Sequence, residues 1–414
     1  MFGELEESWA HMATDMDEAA AGLFDSGGKA LPEAWRDTTG ALAAGEIGRL
    51  VYSYSIVGVR SRAVCSVLSG LDLAFTGAKS RIAAWLAECA TRGFRVSDTG
   101  TVMLGADAKT SGSLADQLNR ASMITTELTA ALEDATVADQ RAAQALTGIG
   151  LTELNINGEG DINADDLELH RDRILPEGVD TGLEIIRKTM PLDDSPTVQS
   201  TWWDGLSGTQ RDMYLKTVPL EIAGMAGISV AVRRHLSEPE RGYDRLKLLE
   251  FARDHWDDTS IDWTHTDSNC TNFVSQAFEH AGLEQKGKPG FLWRWDEDEW
   301  GHARKKFLFF DFGDDYSNSW GGAQQQHDFF VSQRAQIIDP VNARPGDILY
   351  VTNEGTTGEI HHTALVTGVL PNGDILYTQH SDSAQNLSWN GRLPYTHVQG
   401  GTQGVQIVRV TETW

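Results

Sequence analysis

The sequence predicts a multidomain chain, all-α over its first part and α+β over its last third. Three observations carry this. Apolar residues recur at three- and four-residue intervals through residues 1–150, the period of a helix. From residue 345 the apolar runs shorten, alternate with Gly, Pro and Asn turn signals, and read as strands. Between them, Ser237–Gly242 contains Glu-Pro-Glu-Arg-Gly, a cluster of chain breakers. A length of 414 residues suits two or three domains, divided here as 1–150, 151–240 and 241–414.

The net charge of −26 makes a phosphate backbone an unfavourable partner, so nucleic-acid binding is not expected. Three cysteines do not make a disulfide framework, and no Cys or His spacing suggests zinc. Cys65 and Cys89 lie in apolar helical stretches and read as buried thiols. Met1 is followed by Phe-Gly-Glu-Leu-Glu-Glu, acidic where a cleaved signal peptide is basic. The apolar run near Leu220–Val232 is too short to span a bilayer. The expectation is no membrane span, with either export by a signal-peptide-independent route or a cytoplasmic location.

In the first part, Trp9, Met12, Met16 and Ala19/Ala20 form one helical stripe. Gly27-Gly28 is expected to break that helix, with Pro32 opening the next. Long helices are expected over Glu46–Arg92 and Ser111–Leu146, the second rich in Ala. This arrangement resembles the helical WXG-type modules that head many actinobacterial type VII export substrates, although Trp35-Arg36-Asp37 lacks the Trp-x-Gly turn. The resemblance implies a delivery module with a secretion-machinery or helical partner. The plain reading is a helical bundle used for docking.

The middle part opens on Asn155-Ile-Asn157-Gly-Glu159-Gly160-Asp161-Ile162-Asn163-Ala-Asp165-Asp166. Oxygen side chains fall at positions 1, 3, 5, 9 and 12, with Gly at 6 and Ile at 8, so the stretch resembles an EF-hand or dockerin-like calcium loop. That resemblance implies calcium on Asn155, Asn157, Glu159, Asn163 and Asp166. A polar turn capping a helix over Asp165–Ile174 accounts for the same letters. Trp202-Trp203, with Leu206, Gln210, Pro219 and Gly227-Ile228, resembles the connector preceding the catalytic domain of large secreted actinobacterial hydrolases. A helix with a buried Trp pair is the plainer account.

In the last third, Tyr243–Trp256 reads as an amphipathic helix, and a second helix begins at Cys270 and ends at Gly282. A thiol at a helix N-terminus feels the positive end of the dipole, which favours thiolate. The outward N–H groups there can hold the oxyanion of a tetrahedral intermediate. Alone, such a cysteine is more often a buried structural thiol. Downstream, Pro345–Val351, Ile360–Val369 and Ile375–His380 read as strands, the last two joined by a hairpin. His361-His362 thus opens one strand and Gln379-His380 ends its neighbour.

The hairpin register decides which residue orients the base. A two-residue Asn372-Gly373 loop would put Gln379 on the face of His362, but with Pro371 where an N–H is wanted. A three-residue loop, with Pro371 and Asn372 in a type I turn and left-handed Gly373, puts His380 on that face. His380 is therefore the expected orienter and Gln379 the alternative.

Residues 243–400 resemble the bacterial amidase domain, a relative of the NlpC-type and CHAP-type cysteine peptidases of the papain-like class. The resemblance rests on Tyr243…Phe251-Ala252, Cys270–Gln276, Ser319-Trp320, Pro345-Gly346-Asp347, His362–Gly368 and Gln379-His380…Asn386. The family's Asp before the cysteine and before the histidine are here Asn269 and His361. The resemblance implies a papain-like fold, a Cys270-bearing helix packed on an antiparallel sheet, and amide-bond hydrolysis by Cys270 with His362 as base and His380 orienting it. His361 remains an alternative base. The chemistry requires no metal or cofactor, and the substrate class is a peptide or peptidoglycan. Trp293, Trp295, Trp300, Trp320, Phe309 and Phe310 either wall a substrate cleft or fill the core.

Overall fold

A computed structural model of the chain describes residues 2–106, 108, 113–158, 160–262, 269–287, 295–307, 310–353, 358–391, 403–411 and 414. Helix α1 (Phe2–Leu23) runs through a π-helical turn, Phe24–Lys29, into α2 (Ala30–Ala34). The break therefore falls at Trp35–Asp37 and not at Gly27-Gly28. Packing accounts for the difference: a Cβ on Gly27 would lie 2.6 Å from Ile47 Cδ1, so the glycine admits the next helix rather than ending its own. Asp37 caps α3 (Thr38–Arg92), accepting from Thr39 and Gly40 N–H at 2.9 Å each, and left-handed Gly93 closes it.

A short antiparallel hairpin, β1 (Phe94–Val96) and β2 (Val102–Leu104), follows where only helix was expected. Gly100, at φ +81, supplies its turn. Helix α4 (Leu114–Leu151) starts at a Ser113/Asp116 capping box and lays Ala138, Ala142 and Ala145 into the same core as α3. Small side chains let these helices approach closely.

Among the described residues the middle part carries helices and no strand: α5 (Ala164–Leu169), a π-turn over His170–Ile174, α6 (Leu175–Thr189), α7 (Pro196–Gly205), α8 (Gly208–Thr217), α9 (Pro219–Gly224) and α10 (Val230–Ser237). Helix α6 crosses α3 at Gly70 and Gly182, where an added Cβ on Gly70 would meet the Gly182 backbone at 2.5 Å. Trp202 and Trp203 are buried, Trp202 edge-on to Tyr214 at 5.0 Å, so the Trp pair is core.

The last third comprises α11 (Arg245–His255), α12 (Cys270–His280), a small pair β3 (His302–Phe307) and β4 (Phe310–Tyr316), α13 (Asn318–Gly321) and α14 (Ala323–Ser332). Strands β5 (Gln336–Ile338), β6 (Ile348–Thr352), β7 (Ile360–Val369), β8 (Ile375–Gln379), β9 (Ala384–Ser388) and β10 (Gly404–Arg409) form one sheet in the order β5-β10-β6-β7-β8-β9. All its pairs are antiparallel. One core joins Phe273, Val274 and Phe278 of α12 to Tyr350 and Leu365 of the sheet, and a second holds Leu349, Val351, Ala364, Val366 and Tyr377. The helix bearing Cys270 thus lies on an antiparallel sheet, as expected.

The junction before α11 is held by charge. Glu238, buried and left-handed at φ +44, pairs with Arg241, with Arg344 at 3.0 Å and with Arg245 at 3.7 Å. Asp347, in the Pro-Gly-Asp turn, accepts from Arg409 Nε and Nη2 at 2.7 Å each. Among the described residues no helix is long and apolar enough to cross a membrane.

Candidate active site

Cys270 is the first residue of α12 and is 3% exposed. Asn269 turns its amide oxygen to Asn272 rather than onto the first-turn N–H groups, so those are clear of a side-chain cap. The helix is fixed by a buried polar network along one side. Asn272 Oδ1 accepts from Trp320 Nε1 at 3.0 Å and from Gln276 Nε2 at 2.9 Å. Ser275 Oγ donates to the Trp320 carbonyl and accepts from Trp300 Nε1 at 3.1 Å and from Gln326 Nε2 at 2.8 Å. Trp300 and Trp320 are therefore core groups that position α12, not cleft walls. Trp293 and Phe309 lie outside the described residues, as does the side chain of Phe310, while Trp295 donates to Asp315 at 3.1 Å.

Contacts on both sides of Cys270 tie it to the sheet. Asn269 N–H donates to Ser381 Oγ at 2.9 Å, and Thr271 Oγ1 lies 3.4 Å from Thr363 Oγ1. The neighbours of Cys270 in the chain thus meet the neighbours of His380 and His362. A register shift between β6 and β7 sets His361 and His362 together opposite Val351. His361 is exposed, and its Nε2 lies 3.5 Å from Gln403 Nε2.

His362 Nε2 lies 2.9 Å from Gln379 Oε1, and Gln379 Nε2 donates to the Asp382 carbonyl at 2.9 Å. The second bond fixes which end of the amide meets the ring. The ring partner is thus Gln379 and not His380. The predicted turn is present: Leu370 N–H bonds to the Asp374 carbonyl, and Gly373 has φ +85. What changes the outcome is a shift between Val366 and Gly368, where Thr367 is the extra residue of β7. One extra residue reverses the faces beyond it, exchanging Gln379 for His380. Bulges leave no mark in hydrophobic periodicity, so the sequence pattern carries no trace of this one.

His380 has other partners. Its Nδ1 lies 2.7 Å from the Trp256 carbonyl, its Nε2 lies 2.6 Å from Asp262 Oδ1, and its ring stacks on Phe273 at 5.5 Å. It ties the end of β8 to the segment after α11. Asp262 was not foreseen, because nothing local in the sequence marks it.

The other two cysteines are buried and unbonded to each other. Cys65 Sγ lies 3.6 Å from the Glu6 carbonyl oxygen, and burial pushes its thiol up to about 12. Cys89 is also raised by burial.

At the loop following α4, Asp166 is fully buried; its Oδ1 accepts from Ile156 and Asn157 N–H at 2.7 and 3.0 Å, and its Oδ2 from Asn163 N–H at 3.1 Å. Asn163 Oδ1 accepts from Asp165 and Asp166 N–H and from Asn157 Nδ2, and Asn155 Oδ1 accepts from Gly158 N–H. Glu159 lies outside the described residues. These side chains form a capping loop for α5, and a calcium ion would compete with N–H donors for their oxygens. Among the described residues no group of three or more His, Cys, Asp or Glu is placed to hold a metal.

Residues 242–401 match the model of a family described as "Putative amidase domain". The match supports an amidase domain at the C-terminal end of the chain. Among curated proteins, the "Uncharacterized protein YhbB" of Bacillus subtilis (strain 168) is 26% identical over 132 residues. That alignment covers 30% of this chain and 37% of the relative, well under two thirds of its length. No solved structure matches.

Proposed function

We propose that the C-terminal domain is a cysteine-dependent amide hydrolase in which Cys270 is the nucleophile, His362 the base and Gln379 the orienting group. The observation that carries this reading is the 2.9 Å contact between His362 Nε2 and Gln379 Oε1. A carboxamide oxygen only accepts, so the neutral ring carries its hydrogen on Nε2 and keeps the Nδ1 lone pair for a proton. His362 Nδ1 takes the Cys270 proton as Sγ attacks the amide carbon. The oxyanion is held by the backbone N–H of Cys270. His362 then returns the proton to the leaving nitrogen as the C–N bond breaks, and water hydrolyses the thioester.

The substrate class we infer is a peptide, with peptidoglycan stems as the leading case. The helical first part would act as a delivery module for a secreted, toxin-like effector exported by the type VII route. The turn at Trp35 between α2 and α3 supports that reading. Release of free amine from purified peptidoglycan and from peptides tests the proposal. Loss of release in Cys270→Ala is the expected result; equal release by wild type and variant would remove Cys270 from the chemistry.

The near-complete burial of Cys270 favours a second reading, an inactive domain that only binds peptides. A transferase passing the acyl group to an amine would use the same residues, and product analysis with an added amine separates it from a hydrolase.

A further inference from the structure

Two register shifts flank β8 shortly before Gln379, one on the β7 side at the Leu376–Tyr377 step and one on the β9 side at Thr378. On the β7 side Thr367 is the extra residue; on the β9 side Gln385 and Asn386 together oppose Thr378. Asn386 has φ +54, a left-handed backbone that costs a residue with a Cβ. Both irregularities are bound by the same three residues. Asn386 N–H donates to Thr378 Oγ1 at 3.3 Å, Thr378 Oγ1 lies 3.1 Å from Thr367 Oγ1, and Thr367 Oγ1 donates to Asn386 Oδ1 at 2.9 Å. With Thr378 donating to Thr367, the three bonds close a ring in which each hydroxyl donates once and accepts once. Thr378 is fully buried, so water cannot replace a lost partner. The β7 end is also held from the middle part of the chain, where Thr217 Oγ1 donates to the Val369 carbonyl at 2.8 Å.

We propose that Thr367, Thr378 and Asn386 are positioning residues whose hydrogen-bonded ring locks the register that presents Gln379, rather than His380, to His362. The hairpin turn alone would present His380, so the offset has to be held by something other than the turn. The ring sits beside the offset, and its members hydrogen-bond to one another while His362 bonds to Gln379. The kinetic part of the argument rests on the acyl-transfer reading above; the orientation of His362 does not.

The test uses the full chain with Thr367→Val, which keeps shape and removes the hydroxyl, and Asn386→Gly, which keeps the left-handed backbone and removes the amide. Thr367→Ser is the conservative control. Two quantities are measured: the imidazole nitrogen resonances of His362, which report which ring nitrogen carries the hydrogen, and kcat and KM on an amide substrate. Thr367→Val and Asn386→Gly are expected to lose the single Nε2–H form and to drop kcat about 10- to 100-fold, with KM held within about twofold. Thr367→Ser is expected to keep both. A fall in Tm with unchanged His362 resonances would overturn the proposal and leave a merely structural ring. If wild type cleaves nothing yet the resonances change in the two variants, the positioning stands and the acyl-transfer reading falls.

Discussion

Gln379 holds His362 through its carbonyl oxygen at 2.9 Å while its own amide nitrogen is anchored on the Asp382 carbonyl. An amide held at both ends orients a ring more firmly than one held at a single end. Gln379→Ala is therefore expected to lower kcat roughly 10- to 100-fold with little change in KM. Steady-state kinetics beside Cys270→Ala checks this; an unchanged kcat would remove Gln379 from the site.

His380→Ala separates the two residues. Its ring bridges Asp262 and the Trp256 carbonyl, so its loss should cost stability, about 1–3 kcal/mol, by removing a buried ring that holds both contacts. Chemical denaturation reads that cost. A collapse of kcat at unchanged stability would instead restore His380 as the orienter.

Much of this region was legible in the chain. Strand β7 spans Ile360–Val369 as read from its apolar pattern, α12 begins at Cys270, and the three-residue hairpin loop is present with left-handed Gly373. The hairpin rules place His380 beside His362, whereas the structure places Gln379 there, although each local rule holds. Thr367 adds one residue to β7, and side-chain alternation carries no record of an insertion made within a hydrophobic strand. The first helix continues past the expected break for a related reason. Glycine signals a turn in sequence, but at Gly27 the missing side chain makes room for Ile47. Asp262 contacts His380 across more than a hundred residues, and no local pattern encodes such a pair.

The hairpin should also respond to pH. Asp374 is buried against Ser388 and the Asn390 N–H, and burial raises its carboxyl from the ordinary 3.8 to about 6. Burial likewise raises Glu6, beside Ser69 and Asp72, to about 7. Both folded groups keep a proton that the unfolded chain has released. Their favourable contribution is complete below the unfolded value and is lost as pH climbs through the folded one, ~3 kcal/mol for Asp374. Asp374→Asn should flatten the decline in stability between about pH 4 and 6. An identical slope in the variant, followed by Tm against pH, would refute the assignment.

Thiol chemistry gives a cleaner reading. With Cys65 pushed up to about 12 and Cys89 raised, neither should react at neutral pH in the folded protein. Mass spectrometry after brief alkylation is expected to find label on Cys270 alone, and on all three only after denaturation. Rapid labelling of Cys65 would show that α1 opens readily from α3.

The capping loop makes a prediction independent of calcium. Asp166 satisfies three backbone N–H groups, so Asp166→Ala should lower stability by about 1–3 kcal/mol in chelator as well as in calcium. A loss seen only when calcium is present would recast the loop as a metal site.

The buried Glu238 has a practical consequence for dissecting this chain. Similarity to the putative amidase domain begins at residue 242, which invites excision of that domain at this point. Such a cut discards the Glu238 carboxylate that pairs with Arg241, Arg245 and Arg344, and leaves the surviving guanidinium groups near one another in a desolvated pocket. The boundary drawn by resemblance and the boundary drawn by charge differ by four residues. A fragment that starts at Ser237 keeps its counter-ion; one that starts at Gly242 has to fold against its own repulsion.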